Sequence, residues 1–86
     1  MTRREMLAEQ GYEDVVVFEN PDYDSAIIGV TNTNQVVYDY DKMLENLMKT
    51  DNMSAEDAAD FISYNTIRGC SYFGEGAPVV MFRLEE

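Results

Sequence analysis

Pairs of aspartates at alternate positions are the first feature of this chain that could carry chemistry. The segments Asp22-Tyr23-Asp24 and Asp39-Tyr40-Asp41 each place two carboxylates two residues apart. A calcium loop of the EF-hand type needs further oxygen ligands at alternate positions, a central glycine and a final glutamate. Neither segment continues in that way, so the aspartates do not predict a calcium site.

Other side chains that serve catalysis are scarce. The chain has one cysteine, Cys70, and no histidine. Structural zinc sites rely on cysteine and histidine, and a cysteine nucleophile needs a base that is usually histidine. Among seventeen acids no pair stands out as general acid and base. We therefore expect no enzyme, no catalytic residue, no metal site and no cofactor. A small carboxylate-based enzyme ranks behind two binding functions.

The charge distribution is the most unusual global feature. Seventeen acids and six bases give a net charge of −11, and the 37 residues from Glu5 to Asp41 contain nine acids and no base. Direct binding to nucleic acid is disfavoured, because its affinity comes largely from basic residues that neutralise phosphates. The charge either serves solubility or forms an acidic face for a basic protein partner.

A predicted helix over residues 54–67 carries the candidate acidic face. Glu56 and Asp60 stand at i,i+4, where like charges destabilise a helix by about 0.2–0.5 kcal/mol, and no base relieves them. A partner would explain this arrangement. The predicted partner-binding residues are the acids and tyrosines Asp22, Tyr23, Asp24, Glu56, Asp57, Asp60 and Tyr64, with Tyr23 or Tyr64 as the aromatic anchor.

Caps and hydrophobic periodicity predict the elements that must position these residues. A capping box at Thr2 and Glu5 starts a short helix that runs to about Gln10. Asp41 as N-cap opens a helix over 41–50, and Ser54 opens one over 54–67. Apolar and β-branched runs predict strands at 14–18, 26–30, 35–40 and 78–84, and Gly29 marks a bulge or a close backbone approach.

These elements predict one α+β domain over residues 1–86. Its order is (α)βββααβ, with a four-stranded, mainly antiparallel sheet and two helices on one face. The last strand is expected to return beside the first. The expected core consists of Val16, Phe18, Ile27, Ile28, Val37, Leu44, Leu47, Met48, Ile62, Val80 and Phe82.

The sequence also bears on the compartment. No run approaches the ~20 apolar residues of a membrane span, and the N-terminal ten residues lack the apolar core of a signal peptide. A single cysteine agrees with a reducing environment. We expect a cytoplasmic protein with no membrane partner.

Three segments carry a resemblance. VVYDYDKMLENLM, DNMSAEDAADFISYNTIRG and GEGAPVVMF, together with the chain between them, resemble small acidic proteins of low-GC Gram-positive bacteria and of their phages and integrated elements. The similarity spans roughly residues 12–82, and the segment 61–68 is its most characteristic part. No activity is assigned to that group, so the resemblance transfers no functional residue.

Size and charge are also similar to those of anti-CRISPR proteins and other DNA mimics, a likeness of composition alone. It implies carboxylates placed where a bacterial defence nuclease expects phosphates. The favoured function is therefore a non-enzymatic acidic protein-binding module, a phage-type inhibitor that occupies a basic nucleic-acid groove. The alternative is a host-encoded regulatory or structural interaction module, with a homodimer as one form.

Overall fold

The computed structural model describes residues 2–19, 23–74 and 76–84, with the backbone alone for 70–72. It has an α+β fold with three α-helices and a three-stranded mixed sheet. The elements in chain order are α1 (Arg3–Glu9), a 3₁₀ turn (Asp24–Ala26), β1 (Ile27–Val30), β2 (Val36–Asp39), α2 (Tyr40–Thr50), α3 (Ala55–Phe61), a π-helical segment (Ile62–Ile67), a 3₁₀ segment (Arg68–Phe73) and β3 (Val79–Met81).

The sheet has the strand order β1-β2-β3. β1 pairs with β2 in antiparallel fashion, and the register shifts between Ile27 and Gly29, which confirms the bulge predicted at Gly29. β3 pairs with β2 in parallel, with Tyr38 opposite Val80. The predictions of four strands and of a last strand beside the first are therefore wrong. The two helices between β2 and β3 form a crossover, which is the connection that a parallel pair requires.

The predicted strand 14–18 is also wrong, because Val15–Phe18 has no ladder pairing. The backbone groups of Phe18 bond to side chains instead. Its amide donates to the Tyr38 hydroxyl at 3.0 Å, and its carbonyl accepts from Arg4 Nη2 at 3.0 Å. The β-branched run thus packs across the core while β1 and β3 occupy the two sides of the central strand.

The helix starts follow capping chemistry. The Thr2 hydroxyl accepts from the Glu5 amide at 3.1 Å, which confirms Thr2 as the N-cap of α1. The reciprocal bond differs from that of a capping box, because the Glu5 carboxylate accepts from the Thr2 hydroxyl and not from the Thr2 amide. Ser54 accepts from the Asp57 amide at 3.1 Å and begins α3 as predicted. Asp41 is not the cap of α2, because Asp39 accepts from the Asp41 amide and the helix begins at Tyr40.

The core lies between the helices and one face of the sheet. Four of its predicted members are buried, namely Phe18, Ile27, Leu47 and Ile62. Leu44 and Val80 are partly buried and pack against them, and Val16 and Val37 are also only partly buried. The sequence prediction missed several fully buried residues, which are Tyr23, Ala26, Val36, Tyr38, Met43 and Ala58.

Three predicted core residues are exposed instead. Ile28 follows the buried Ile27, so the alternation of side chains along β1 places it on the opposite face of the sheet. Met48 lies beside the buried Met43–Leu47 face of α2 and is 41% exposed. Phe82 follows the end of β3 and is 60% exposed, although its ring lies 4.6 Å from the ring of Tyr40. No helix of the described chain is both long and apolar enough to span a bilayer.

Candidate partner-binding site

An acidic stripe lies on the solvent face of α3 and of the helical segment that follows it. We define the acidic stripe as Glu56, Asp57, Asp60 and Tyr64, all of which are exposed. Residues at i,i+3 and i,i+4 are neighbours on a helix, so these side chains share one face. The opposite face is buried through Ala58, Ile62 and Thr66, which fixes the stripe toward solvent.

The charges of the acidic stripe are not compensated within the described chain. Ion pairs there join Arg4 to Asp24 and Arg83 to Asp39, and none involves a carboxylate of the stripe. Glu56 and Asp57 lie in the first turn of α3, where the helix dipole favours negative charge. Asp60 lies beyond that turn and faces Glu56 at i,i+4, so the dipole offsets only part of the repulsion.

Tyr64 supplies the aromatic member of the stripe. Its side chain is 66% exposed, and it lies in the π-helical segment that continues α3. Tyrosine offers rigid apolar area and a hydroxyl, the combination that is enriched at binding hot spots. The structure therefore places the second of the two predicted anchors beside the acids at accessible positions.

Tyr23, the other predicted anchor, has no exposed surface. Its hydroxyl lies 2.9 Å from that of Thr66, and its ring packs edge-on against Phe18 with centroids 5.9 Å apart. Burial raises the pKa of the Tyr23 hydroxyl, the Thr66 hydrogen bond lowers it, and the Asp51 charge raises it, with a net increase. A fully buried ring cannot meet a partner, so Tyr23 acts here as a core residue.

Asp24 is engaged within the protein. Its Oδ1 accepts from Arg4 Nε at 3.2 Å and lies 3.0 Å from Arg4 Nη2, which ties the 3₁₀ turn to α1. This carboxylate is already neutralised, unlike those of the acidic stripe. Asp22 lies outside the described residues. Of the seven predicted site residues, the structure thus brings four together on one helical face.

A groove next to the π-helical segment was missed by the sequence reasoning. It has a volume of about 270 Å³ and runs between the extended segment after α1 and the helical segments after α3. Its lining residues are Val17, Phe18, Glu19, Tyr23, Asn65, Thr66, Gly69 and Phe73. The Tyr23–Thr66 hydrogen bond lies in this lining, and Phe73 is 42% exposed. Phe73 precedes Gly74 in a glycine-rich stretch, and that was its only sequence signal.

No metal centre is formed by the described residues, because no three of their histidine, cysteine, aspartate or glutamate side chains converge on one point. The pair Asp39 and Asp41 is not available as a chelate. Asp39 is 2% exposed, and its oxygens accept from the Asp41 amide and from Arg83.

No protein-family model, curated protein or solved structure gives a significant match to this chain. The resemblance carried by the three segments therefore stays a prediction.

Proposed function

We propose that this chain is a non-enzymatic, cytoplasmic protein-binding module whose acidic stripe engages the basic surface of a protein. The favoured partner is a nucleic-acid-binding nuclease of a bacterial defence system, inhibited in the manner of a phage-encoded DNA mimic. The observation that carries the proposal is a set of exposed, uncompensated carboxylates beside an exposed tyrosine on one helical face.

The spacing of these carboxylates supports mimicry of a nucleic-acid backbone. Glu56 to Asp60 spans about 6 Å along the helix axis, at a rise of about 1.5 Å per residue. Three consecutive phosphates of one DNA strand span about 7 Å along the duplex axis. The three charges of the stripe are therefore about as dense along their axis as those of a DNA strand, and a groove that binds phosphates would meet a similar potential.

The net charge adds a kinetic argument. A charge of −11 produces a long-range attraction toward a basic groove, which raises the association rate and weakens as salt is added. The exposed tyrosine then supplies apolar contact once the partners have met. Binding of this kind is fast, salt-sensitive and dependent on a small number of side chains.

The proposal is tested by competition. The chain is immobilised, partners are captured from a bacterial lysate that contains defence nucleases, and the captured protein is purified. Binding of that protein is then measured with increasing double-stranded DNA, with an uncharged polymer of similar size as the control. DNA mimicry predicts that DNA displaces the chain in proportion to its own affinity for the partner. Binding that persists at saturating DNA contradicts it.

A second candidate function is favoured by exposed apolar side chains near the C-terminal strand. Phe82 is 60% and Leu84 is 98% exposed. These residues support the alternative of a host-encoded interaction module, including a homodimer. Sedimentation equilibrium separates the two, because a homodimer doubles the mass in a concentration-dependent way. The mutual repulsion of two chains at −11 opposes this association at low salt.

A further inference from the structure

A cleft far larger than the groove lined by Tyr23 and Thr66 opens between three loops. It has a volume of about 700 Å³ and includes no residue of α3. Its lining comes from the segment after α1, the turn between β1 and β2, and the chain before β3, namely Gly11, Tyr12, Asp14, Val15, Val16, Thr33, Asn34, Gln35, Gly74 and Gly76. This volume lies within the range of about 300–1,000 Å³ that is typical of ligand sites.

The walls of the cleft are built from left-handed backbone turns. Four lining residues have positive φ, which are Gly11 at 92°, Asn34 at 63°, Gly74 at 72° and Gly76 at 81°. Asparagine and glycine are the residues that adopt this conformation most readily. At Gly74 and Gly76 the direction of a side chain is open space, so the backbone itself borders the cleft.

Hydrogen bonds hold two of the walls together. Gln35 Nε2 donates to the Ala77 carbonyl at 2.9 Å, which links the β1–β2 turn to the chain before β3. Thr33 Oγ1 donates to Gln35 Oε1 at 2.8 Å, so the amide is oriented from its other side as well. The third wall begins where the Tyr12 amide donates to the Leu7 carbonyl at 2.8 Å. Two of the three walls of the cleft are thus fixed to each other before a ligand arrives.

The chemistry of the lining selects a cation. Among the described residues that line the cleft, Asp14 is the one charged residue, and none of them is lysine or arginine. The Asp14 carboxylate makes no hydrogen bond or ion pair within residues 2–19, 23–74 and 76–84. Tyr12 presents a partly exposed ring, and Val15 and Val16 supply apolar wall.

We infer that the cleft is a receptor for an arginine side chain of the basic partner. A guanidinium pairs with a carboxylate through two parallel hydrogen bonds and stacks on an aromatic ring, which Asp14 and Tyr12 offer. The methylene groups of arginine then lie against the valines. The inference rests on the proposed function for the source of the arginine, while the cleft itself is testable without a partner.

The test uses N-acetyl-arginine amide as the probe and N-acetyl-citrulline amide, its neutral isostere, as the control. Chemical shifts of backbone amides are followed up to tens of millimolar probe, the range that suits contacts of a single side chain. We expect saturable shifts at Gly11, Tyr12, Asn34 and Gly74 with the arginine probe. Citrulline should bind at least about tenfold more weakly, because it lacks the charge.

Variants locate the site and separate this inference from the proposed function. Asp14→Asn should weaken binding of the arginine probe about tenfold, whereas Asp57→Asn on the acidic stripe should leave the affinity for the probe unchanged. Shifts that never saturate, that are equal with citrulline, or that survive Asp14→Asn overturn the cleft as an arginine receptor. These outcomes do not bear on the proposed function of the acidic stripe. Asp14→Asn should also weaken binding of the chain to the captured partner. An unchanged affinity for the partner overturns the assignment of the arginine to that partner.

Discussion

The carboxylate of Asp39 and the guanidinium of Arg83 form an ion pair that joins the chain after β3 to the start of α2. Arg83 Nε donates to Asp39 Oδ2 at 2.6 Å, and Nη2 contacts the same oxygen. Asp39 Oδ1 meanwhile caps α2 through the Asp41 amide. The Asp39 carboxylate, at the end of β2, therefore contacts both the start of α2 and the chain after β3.

Acid stability depends on this pair. Burial alone would raise the pKa of Asp39, but the Arg83 hydrogen bond and charge and the amides of Asp41 and Lys42 outweigh it, so the pKa lies below 3.8. Ionised Asp39 thus contributes stability above its unfolded-state pKa, and that contribution is lost as pH falls through the folded-state pKa. Arg83→Met removes the partner and should raise the pKa of Asp39.

The expected result is an acid-unfolding midpoint that moves to higher pH in Arg83→Met, followed by circular dichroism between about pH 6 and pH 2. Arg3→Met is the matched control, because Arg3 is exposed and forms no ion pair with any described residue. An equal midpoint in both variants would show that the Asp39–Arg83 pair does not stabilise the fold.

Two buried tyrosine hydroxyls should differ in importance. Tyr38→Phe leaves the Phe18 amide without its acceptor and should lower the free energy of unfolding by about 1–3 kcal/mol. Tyr23→Phe removes one bond to Thr66, whose side chain or backbone keeps a further interaction, so the loss should be about 0.5–1.5 kcal/mol. Urea denaturation measures both. A larger loss in Tyr23→Phe would contradict this order.

Adjacent residues of α2 provide a direct check of the core. Leu47 is fully buried, whereas Met48 is 41% exposed. Leu47→Ala should cost about 2–5 kcal/mol of unfolding free energy through lost contacts and the cavity it leaves. Met48→Ala should cost less than about 1 kcal/mol, because part of that side chain already contacts water. Similar losses in the two variants would place the buried face of α2 elsewhere.

The acidic stripe should reduce stability slightly. Asp60→Asn removes the i,i+4 repulsion with Glu56 and should raise the free energy of unfolding by about 0.2–0.5 kcal/mol. Glu45→Gln on α2 is the control, because Glu45 precedes Lys49 at a favourable i,i+4 spacing, so its loss should give no gain. Thermal unfolding at low salt resolves the two. Destabilisation by Asp60→Asn would argue that the carboxylate has an internal structural role.

Local signals predicted the helices well. The Thr2 and Ser54 caps and the apolar periodicity of 41–50 act within a few residues, so they are readable from the chain. The sequence alone does not show whether Asp39 or Asp41 caps α2. Asp39 also pairs with Arg83, which lies 44 residues further along the chain. Contacts of that separation leave no local pattern.

The sheet was harder to predict for the same reason. Val15–Val17 has the composition of a strand, yet its neighbour Phe18 bonds to the Tyr38 side chain 20 residues away. The valine run shows that burial is required, and it does not show whether a strand is available to pair. The place of β3 beside β2 depends likewise on the packing of the crossover helices.

The prediction of the site residues was likewise right where local periodicity decided the outcome and wrong where distant contacts did. Glu56, Asp57, Asp60 and Tyr64 share one helix, so helical periodicity alone placed them together. Tyr23 and Asp24 were assigned by proximity in sequence to an acidic segment. Their partners, Thr66 and Arg4, come from other parts of the chain and engage them internally. Acids that cluster in the sequence therefore form a shared exposed surface only where a helix places their side chains on one face.

The central claim is that the acidic stripe binds a basic partner, and neutralising it is the most direct test. One variant combines Glu56→Gln, Asp57→Asn and Asp60→Asn. Its control combines Glu9→Gln, Glu45→Gln and Asp51→Asn, which changes the net charge equally at exposed positions elsewhere. Affinity for the purified captured partner is measured for both variants and the native chain at low and high salt, with folding checked by circular dichroism.

The account predicts at least about tenfold weaker binding and a shallower salt dependence for the stripe variant, with less than about twofold change in the control. Equal effects in the two variants, or none in either, would contradict it.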